Sequence, residues 1–228
     1  MTIQSIPIKV NLANLKASCS ACTLHELCLP MGLSLDDTEL VDKIINNRRK
    51  FFRGDYLYRA GDSFRSLYAI RNGFFKMSEL AEDGCEKITG FYMAGELLGM
   101  DAISDDRHHY HAVALEDSMV CEIPFADLEH LTGTIPALQH HFHKIMSREI
   151  VADQGHMLLL SKMKAEQRLA AFLLNLSQRL GARGYSPTHF YLRMTREEIG
   201  NYLGLTLETI SRTFTHFQQE GLMTVHHR

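Results

Sequence analysis

The sequence predicts an α+β chain in three folded parts: a small antiparallel β-domain, one long helix and a C-terminal helix-turn-helix. Three observations carry this. Between about Lys50 and Ile123, short apolar segments alternate with glycine-bearing turns, the pattern of an antiparallel sandwich or barrel. From Ala137 to about Lys164 a helical pattern runs with no proline and a single glycine, Gly155. Near the C-terminus, Thr195-Arg196-Glu197-Glu198 opens two short helices separated by a turn with glycine. The chain has 228 residues, 45% hydrophobic and 22% charged, enough for one large or two modest domains. That composition excludes a mainly disordered chain.

Ahead of the β-domain stand three cysteines, Cys19-Ser20-Ala21-Cys22 and Cys28. A fourth, Cys121, lies on the apolar run Met119-Val120-Cys121-Glu122-Ile123-Pro124. Four thiolates satisfy a cubane iron–sulfur cluster. Cys19, Cys22 and Cys28 can wrap one side of a metal centre, and a distant fourth ligand would tie that centre to the folded body. Structural zinc on four cysteines is the rival, although two CxxC knuckles would favour it and there is one. Unrelated thiols are the third reading. The segment Met1–Val10 lacks a basic stretch followed by about 7–15 apolar residues. No run approaches the roughly 18 apolar residues of a membrane span. The chain therefore reads as cytoplasmic, where thiols stay reduced and clustered cysteines serve metals or redox work. Cys85, in the polar turn Glu82–Glu86, does not read as a ligand.

Within the β-domain the turns fall at Arg53-Gly54-Asp55, Ala60-Gly61-Asp62, Asn72-Gly73, Asp83-Gly84 and Ala94-Gly95-Glu96. Asn72-Gly73 between two apolar segments predicts a tight hairpin with a type I′ turn. The helix that follows begins at Pro136, which has no N–H to lose in a first turn. Along it Phe142, Met146, Ile150, Asp153, Met157 and Leu160 recur at steps of four and three, close to a heptad seam. So long a helix predicts pairing with a second copy, against the alternative of packing on its own β-domain. Asp153 interrupts the seam: two symmetric carboxylates there would repel, and the competing reading points Asp153 to solvent.

The last segment is the most specific. Thr195 is the expected N-cap and Glu198 its partner in a capping box. A first helix ends at Gly204-Leu205-Thr206, and a second starts at Leu207, with Ile199, Leu203, Leu205, Ile210, Phe214 and Phe217 as core. Glu208, Ser211 and Arg212 on the second helix suit base edges, since Arg donates twice to guanine and Glu accepts from cytosine N4. Thr195, Arg196, Thr206 and Thr209 are further DNA-facing candidates. From Ser161 onward there are nine Lys/Arg and five acids, against 15 and 22 in the rest. A mildly basic tail on an acidic body fits a nucleic-acid module. No nucleophile–base pair, Gly-rich phosphate loop or second cluster motif speaks for an enzyme.

With these parts in this order, the chain resembles the FNR family of oxygen-responsive regulators, within the CRP/FNR superfamily, over essentially its whole length. The stretches that carry the likeness are Ile88-Thr89-Gly90-Phe91, Ser118–Phe125, Leu158-Leu159-Leu160-Ser161-Lys162 and Glu198–Thr206. The family's cysteine pattern falls on Cys19, Cys22, Cys28 and Cys121. The resemblance implies an iron–sulfur segment at 1–30, a cyclic-nucleotide-binding-like β-roll (jelly roll) at 31–135, a dimerisation helix at 136–164 and a winged-type helix-turn-helix at 165–228. It implies a 4Fe–4S cluster that oxygen converts to 2Fe–2S and then destroys, undoing a homodimer bound to double-stranded DNA. Its half-sites would read TTGAT, with Glu208, Ser211 and Arg212 as readers. RNA polymerase would be met through β-domain loops, with Asp83-Gly84-Cys85 as a candidate. The alternative is a regulator of the same build that responds to another effector, with zinc or free thiols at the cysteines.

Two departures qualify the likeness. Gly95-Glu96-Leu97 echoes the start of a cyclic-nucleotide phosphate cassette, but the Arg-Ser/Thr pair that would hold the phosphate is absent. The region reads Arg107-His108-His109-Tyr110-His111, so no cyclic nucleotide is expected. The family continues into a β-hairpin wing, whereas here a first wing strand barely begins before Arg228.

Overall fold

The structure, a computed structural model, describes residues 18–45, 47–80 and 84–226. Helix α1 (Leu35–Ile44) starts at Ser34, whose hydroxyl accepts the Asp37 N–H at 3.1 Å. Eight strands follow: β1 (Asn47–Phe51), β2 (Tyr56–Tyr58), β3 (Ser66–Asn72), β4 (Phe74–Leu80), β5 (Glu86–Met93), β6 (Leu97–Leu98), β7 (His111–Ala114) and β8 (Ser118–Pro124). They form two antiparallel four-stranded sheets, ordered β1-β8-β3-β6 and β2-β7-β4-β5. The expected antiparallel β-domain is present.

The Asn72-Gly73 hairpin is not. β3 and β4 lie in different sheets, so this turn is a corner that carries the chain from one sheet to the other. A type I′ turn needs positive φ at both residues. Only Gly73 has it, at 96°, and a Cβ there would run into Ser118.

Side-chain alternation along β3 divides the core. Tyr68 and Ile70 face inward between the sheets with Phe51, Phe75, Leu98 and Val120. Leu67 and Ala69 face outward and are covered by Leu29, Val41 of α1 and three residues from later helices, Leu128, Leu138 and Phe142. Burying each such large side chain contributes roughly 1.5–3 kcal/mol.

Helix α2 (Phe125–Thr134) leads into α3 (Pro136–Lys162), then α4 (Ala165–Gly181), α5 (Arg196–Leu203) and α6 (Leu207–Gln219). α3 starts at Pro136 as expected and stops at Lys162, because Lys164 is extended and serves as the N-cap of α4. Arg168 of α4 closes this junction. Its guanidinium donates to Leu160 O at 2.6 Å, Met163 O at 2.9 Å and Leu203 O at 3.0 Å, occupying carbonyls at the ends of α3 and α5.

The capping box forms as the sequence predicts. Thr195 Oγ1 accepts the Glu198 N–H at 3.1 Å, and Glu198 Oε2 accepts the Thr195 N–H at 2.8 Å. Gly204 ends α5 in the left-handed region, φ 62°, and Thr206 caps α6. Ile199, Leu203, Ile210, Phe214 and Phe217 are buried, and their cluster runs on into Phe74, Ile88, Phe91 and Met93 of the β-domain. Past α6, residues 222–226 form no strand; Met223 and Val225 pack against the same cluster.

Candidate functional site

The four cysteines expected as ligands converge. Cys19, Cys22 and Cys28 sit on a series of tight turns ahead of α1, closed by Cys22 N–H to Cys19 O at 3.1 Å and Cys28 N–H to Leu24 O at 3.0 Å. Cys121 sits on β8, opposite Arg48 of β1 and Ala69 of β3. All four line one small pocket with Leu24, His25, Leu29, Val41, Ile70 and Arg71. Leu24 and Leu29, two of three leucines near the ligands, are therefore part of its wall, whereas Leu27 instead covers Gly95.

Among the described residues no group of three or more His, Cys, Asp or Glu side chains is arranged to hold a metal ion as it stands. The donor chemistry nevertheless fits a thiolate-bound metal centre. Burial, aided by nearby Cys121 and Cys22, pushes the Cys28 thiol up to about 12, although a hydrogen bond from the Leu29 N–H opposes the rise. Cys19 is raised still more, by burial and then by the Asp42 carboxylate. Burial also raises Cys121, against the opposing pull of Arg48 and Arg71. A cationic centre in this apolar pocket would reverse that balance, displacing the thiol protons and holding the sulfurs as thiolates. Soft sulfur donors select iron–sulfur clusters or zinc.

The surroundings include residues the sequence did not mark. Asp42 of α1 accepts the Cys19 N–H at 3.1 Å and lies 3.4 Å from Arg48, whose Nε is buried without a hydrogen-bond partner. His141 of α3 donates to the Cys28 carbonyl at 3.2 Å. No local pattern announces these three; each depends on how distant elements pack.

The expected seam on α3 divides. Phe142 is buried in the core of its own chain and is unavailable to a partner, which corrects its assignment. Met146 is half-buried against the same core, and Leu160 is half-buried near Gly204. Ile150 and Met157 remain 58% and 62% exposed, with Asp153 exposed between them. Asp153 lines the rim of a cavity of about 400 Å³ between α3, β5 and α4, with Glu149, His156, Tyr92 and Tyr202. Partial burial raises its pKa.

On α6, Glu208 and Arg212 are exposed and Ser211 is half-buried on the same helix. The Glu208 carboxyl is held below its usual range by its own backbone N–H and by Thr206 at the helix N-terminus. Thr206 and Thr209 hydroxyls lie 3.1 Å apart, and Arg212 donates to Thr209 at 3.5 Å. Arg196 lies over the Phe214 ring at 5.2 Å, so it packs as well as carries charge. The Thr195 hydroxyl is engaged as a helix cap.

Glu96 is not open. Arg179 donates to both its oxygens, at 3.1 and 2.6 Å, and Arg183 donates to Oε1 at 2.5 Å. The 107–111 stretch is also engaged: His108 stacks on Tyr58 at 3.7 Å and faces Asp101 at 3.5 Å, while His111 accepts the Ala60 N–H. The Asp83 part of the candidate polymerase-facing turn lies outside the described residues.

A β-roll joined by a long helix to a helix-turn-helix with an exposed reading face defines a DNA-binding transcription regulator, not an enzyme. Residues 48–134 match the cyclic nucleotide-binding domain family and residues 167–228 the Crp-like helix-turn-helix domain family. The chain is 49% identical over 207 residues, 91% of its length and 83% of theirs, to the fumarate and nitrate reduction regulatory proteins of Salmonella typhimurium and Escherichia coli K12. It belongs to that family of regulators. Among solved structures it is similar to FixK2 from Bradyrhizobium japonicum, with TM-score 0.73 and 27% identity, covering 80% of this chain and 89% of that one. A CRP-family transcriptional regulator from Thermus thermophilus shares the fold, with TM-score 0.62 at 20% identity over 78% and 88%. No helix among the described residues is long and apolar enough to cross a membrane.

Proposed function

We propose that this regulator senses oxygen through a 4Fe–4S cluster held by Cys19, Cys22, Cys28 and Cys121. The observation that carries the reading is the convergence of those four thiols, one from β8 and three from the N-terminal turns, on a single apolar pocket. Bound by those four cysteines, such a cluster would supply an oxygen-labile centre. Everything else is done by the chain. Leu24, Leu29 and Val41 limit water at the thiols. The exposed Ile150 and Met157 pair with their counterparts in a homodimer, bringing two Asp153 carboxylates together. Two α6 helices then enter successive major grooves of a TTGAT-type palindrome, with Glu208, Ser211 and Arg212 on base edges. The occupied Glu96 and the absent Arg-Ser/Thr pair argue against a cyclic nucleotide. RNA polymerase is the partner of the DNA-bound dimer, and the reading belongs to the cytoplasm.

The test is the visible spectrum of protein purified without oxygen, followed as air is admitted, with solution mass at both ends. A broad brown band that bleaches while a dimer becomes a monomer is the expected result. A colourless protein carrying zinc and indifferent to air would leave a DNA-binding regulator with another signal. Cys121→Ser should remove the colour and the dimer while far-ultraviolet circular dichroism stays unchanged.

A further inference from the structure

We propose that His141 is the positioning residue that couples the cysteine segment to the dimerisation helix, by its hydrogen bond to the Cys28 carbonyl. The inference rests on the cluster reading above and adds to it the physical link between the thiol pocket and α3.

His141 lies on the second turn of α3, between Leu138 and Phe142, and is 5% exposed. A buried imidazole needs a partner. Here Nε2 is 3.2 Å from the Cys28 oxygen, and because a carbonyl only accepts, Nε2 carries the proton and donates. The same oxygen accepts the Met31 N–H at 3.0 Å, so both of its acceptor positions are used. One closes the turn after the last clustered cysteine, and the other fastens that turn to α3.

Packing reinforces the bond. Leu29, the residue after Cys28, is 1% exposed and shares one cluster with Leu138 and Phe142. The Cys28–Leu29 segment is thus tied to α3 by the His141 hydrogen bond and by a shared apolar cluster. Cys19 is fastened elsewhere, to Asp42 of α1. Cys28 is therefore the ligand whose backbone reports to α3.

Downstream of His141 the helix is unbroken through Ile150, Asp153 and Met157. Nine residues separate His141 from Ile150, about 13 Å of rigid rod at 1.5 Å per residue. A helix held by a cysteine ligand at one end and exposing its apolar residues at the other transmits a change in the ligand's backbone as a change in the presentation of Ile150 and Met157. Without the bond, the thiols still surround their pocket but α3 is no longer obliged to follow.

The test uses His141→Ala, His141→Leu and His141→Gln in the full chain, prepared without oxygen. Iron and sulfide per chain and visible absorbance report the cluster. Sedimentation equilibrium reports the dimer. Both donor-less variants should keep the wild-type iron and sulfide content while the dimer dissociation constant rises about tenfold. His141→Gln, which restores an N–H at similar reach, should return it toward wild type. His141→Leu fills the imidazole's volume, so it decides the question if His141→Ala folds poorly. Wild-type dimerisation in the donor-less variants overturns the proposal. So does loss of cluster and dimer in equal measure, which would make His141 a support for the pocket alone. A wild-type protein that takes up no iron overturns the cluster reading and this link together, before any variant is made.

Discussion

Asn201 of α5 binds the exposed edge of β5 as a strand would: its Oδ1 accepts the Ile88 N–H at 2.7 Å. Its Nδ2 donates to Glu86 O at 2.6 Å, and Lys87 Nζ donates to the Asn201 carbonyl at 2.6 Å. β5 is the last strand of its sheet, so an unpaired edge is covered by a residue of the DNA-binding domain. Nearby, Lys76 of β4 pairs with Glu198 at 3.1 Å, and His156 of α3 stacks on Tyr202 at 4.0 Å. The helix-turn-helix is thereby docked onto the β-roll and α3 at its first helix, leaving α6 free to face DNA.

Asn201→Ala should loosen that docking without altering either domain's core. The loss of two side-chain bonds to strand-edge backbone should cost about 1–3 kcal/mol. Faster amide exchange at Ile88, with unchanged exchange at Ile210, is the expected signature. Uniformly raised exchange across the chain would show that Asn201 supports overall stability instead.

Glu149 should make the α3 junction sensitive to pH. Burial, then the Glu96 and Asp153 charges, lift its pKa to about 7, although Arg179 and Tyr92 oppose them. Its folded pKa lies above its unfolded value. The stability it contributes is therefore fully present below about pH 4.5 and is lost as pH rises through about 7. Glu149→Gln should remove this dependence, raising stability by about 1–3 kcal/mol at pH 8. Melting temperatures of both proteins between pH 5 and pH 8, measured at about these limits, check the sign.

Asp153→Ala should strengthen the dimer. Two carboxylates facing each other across a partly dry seam repel by about 1–4 kcal/mol. Relief of that repulsion should favour dimers and DNA binding in air. An unchanged monomer–dimer equilibrium would place Asp153 away from the seam, at the rim of the α3–β5 cavity alone.

Arg212→Ala should relax selectivity at one half-site position. A bidentate guanine contact contributes roughly 1–3 kcal/mol of discrimination. Binding to operators altered base by base should show the loss confined to the guanine. A uniform weakening, with a lower salt slope, would make Arg212 a phosphate contact.

The C-terminal helices could be read from the chain because their signals are local. Thr195 and Glu198 are three residues apart, and their reciprocal bonds need nothing beyond the turn that contains them. The same holds for Pro136 at the head of α3 and for the spacing of Cys19, Cys22 and Cys28. Asn72-Gly73 shows where local reading fails. A turn signal states that the chain reverses, not which strands then pair, and sheet partnership here joins β3 to β6 and β8. Phe142 fails for a related reason: a heptad position records that a side chain is apolar, and only packing decides whether its own β-domain or a second helix covers it. The meeting of Cys121 with Cys28, of Arg179 with Glu96 and of His141 with the Cys28 carbonyl each joins residues more than 80 positions apart. Residue type and spacing determined the parts and their chemistry. Burial of both sheet faces, which forces helices from opposite ends of the chain onto one β-roll, decided which of those parts touch.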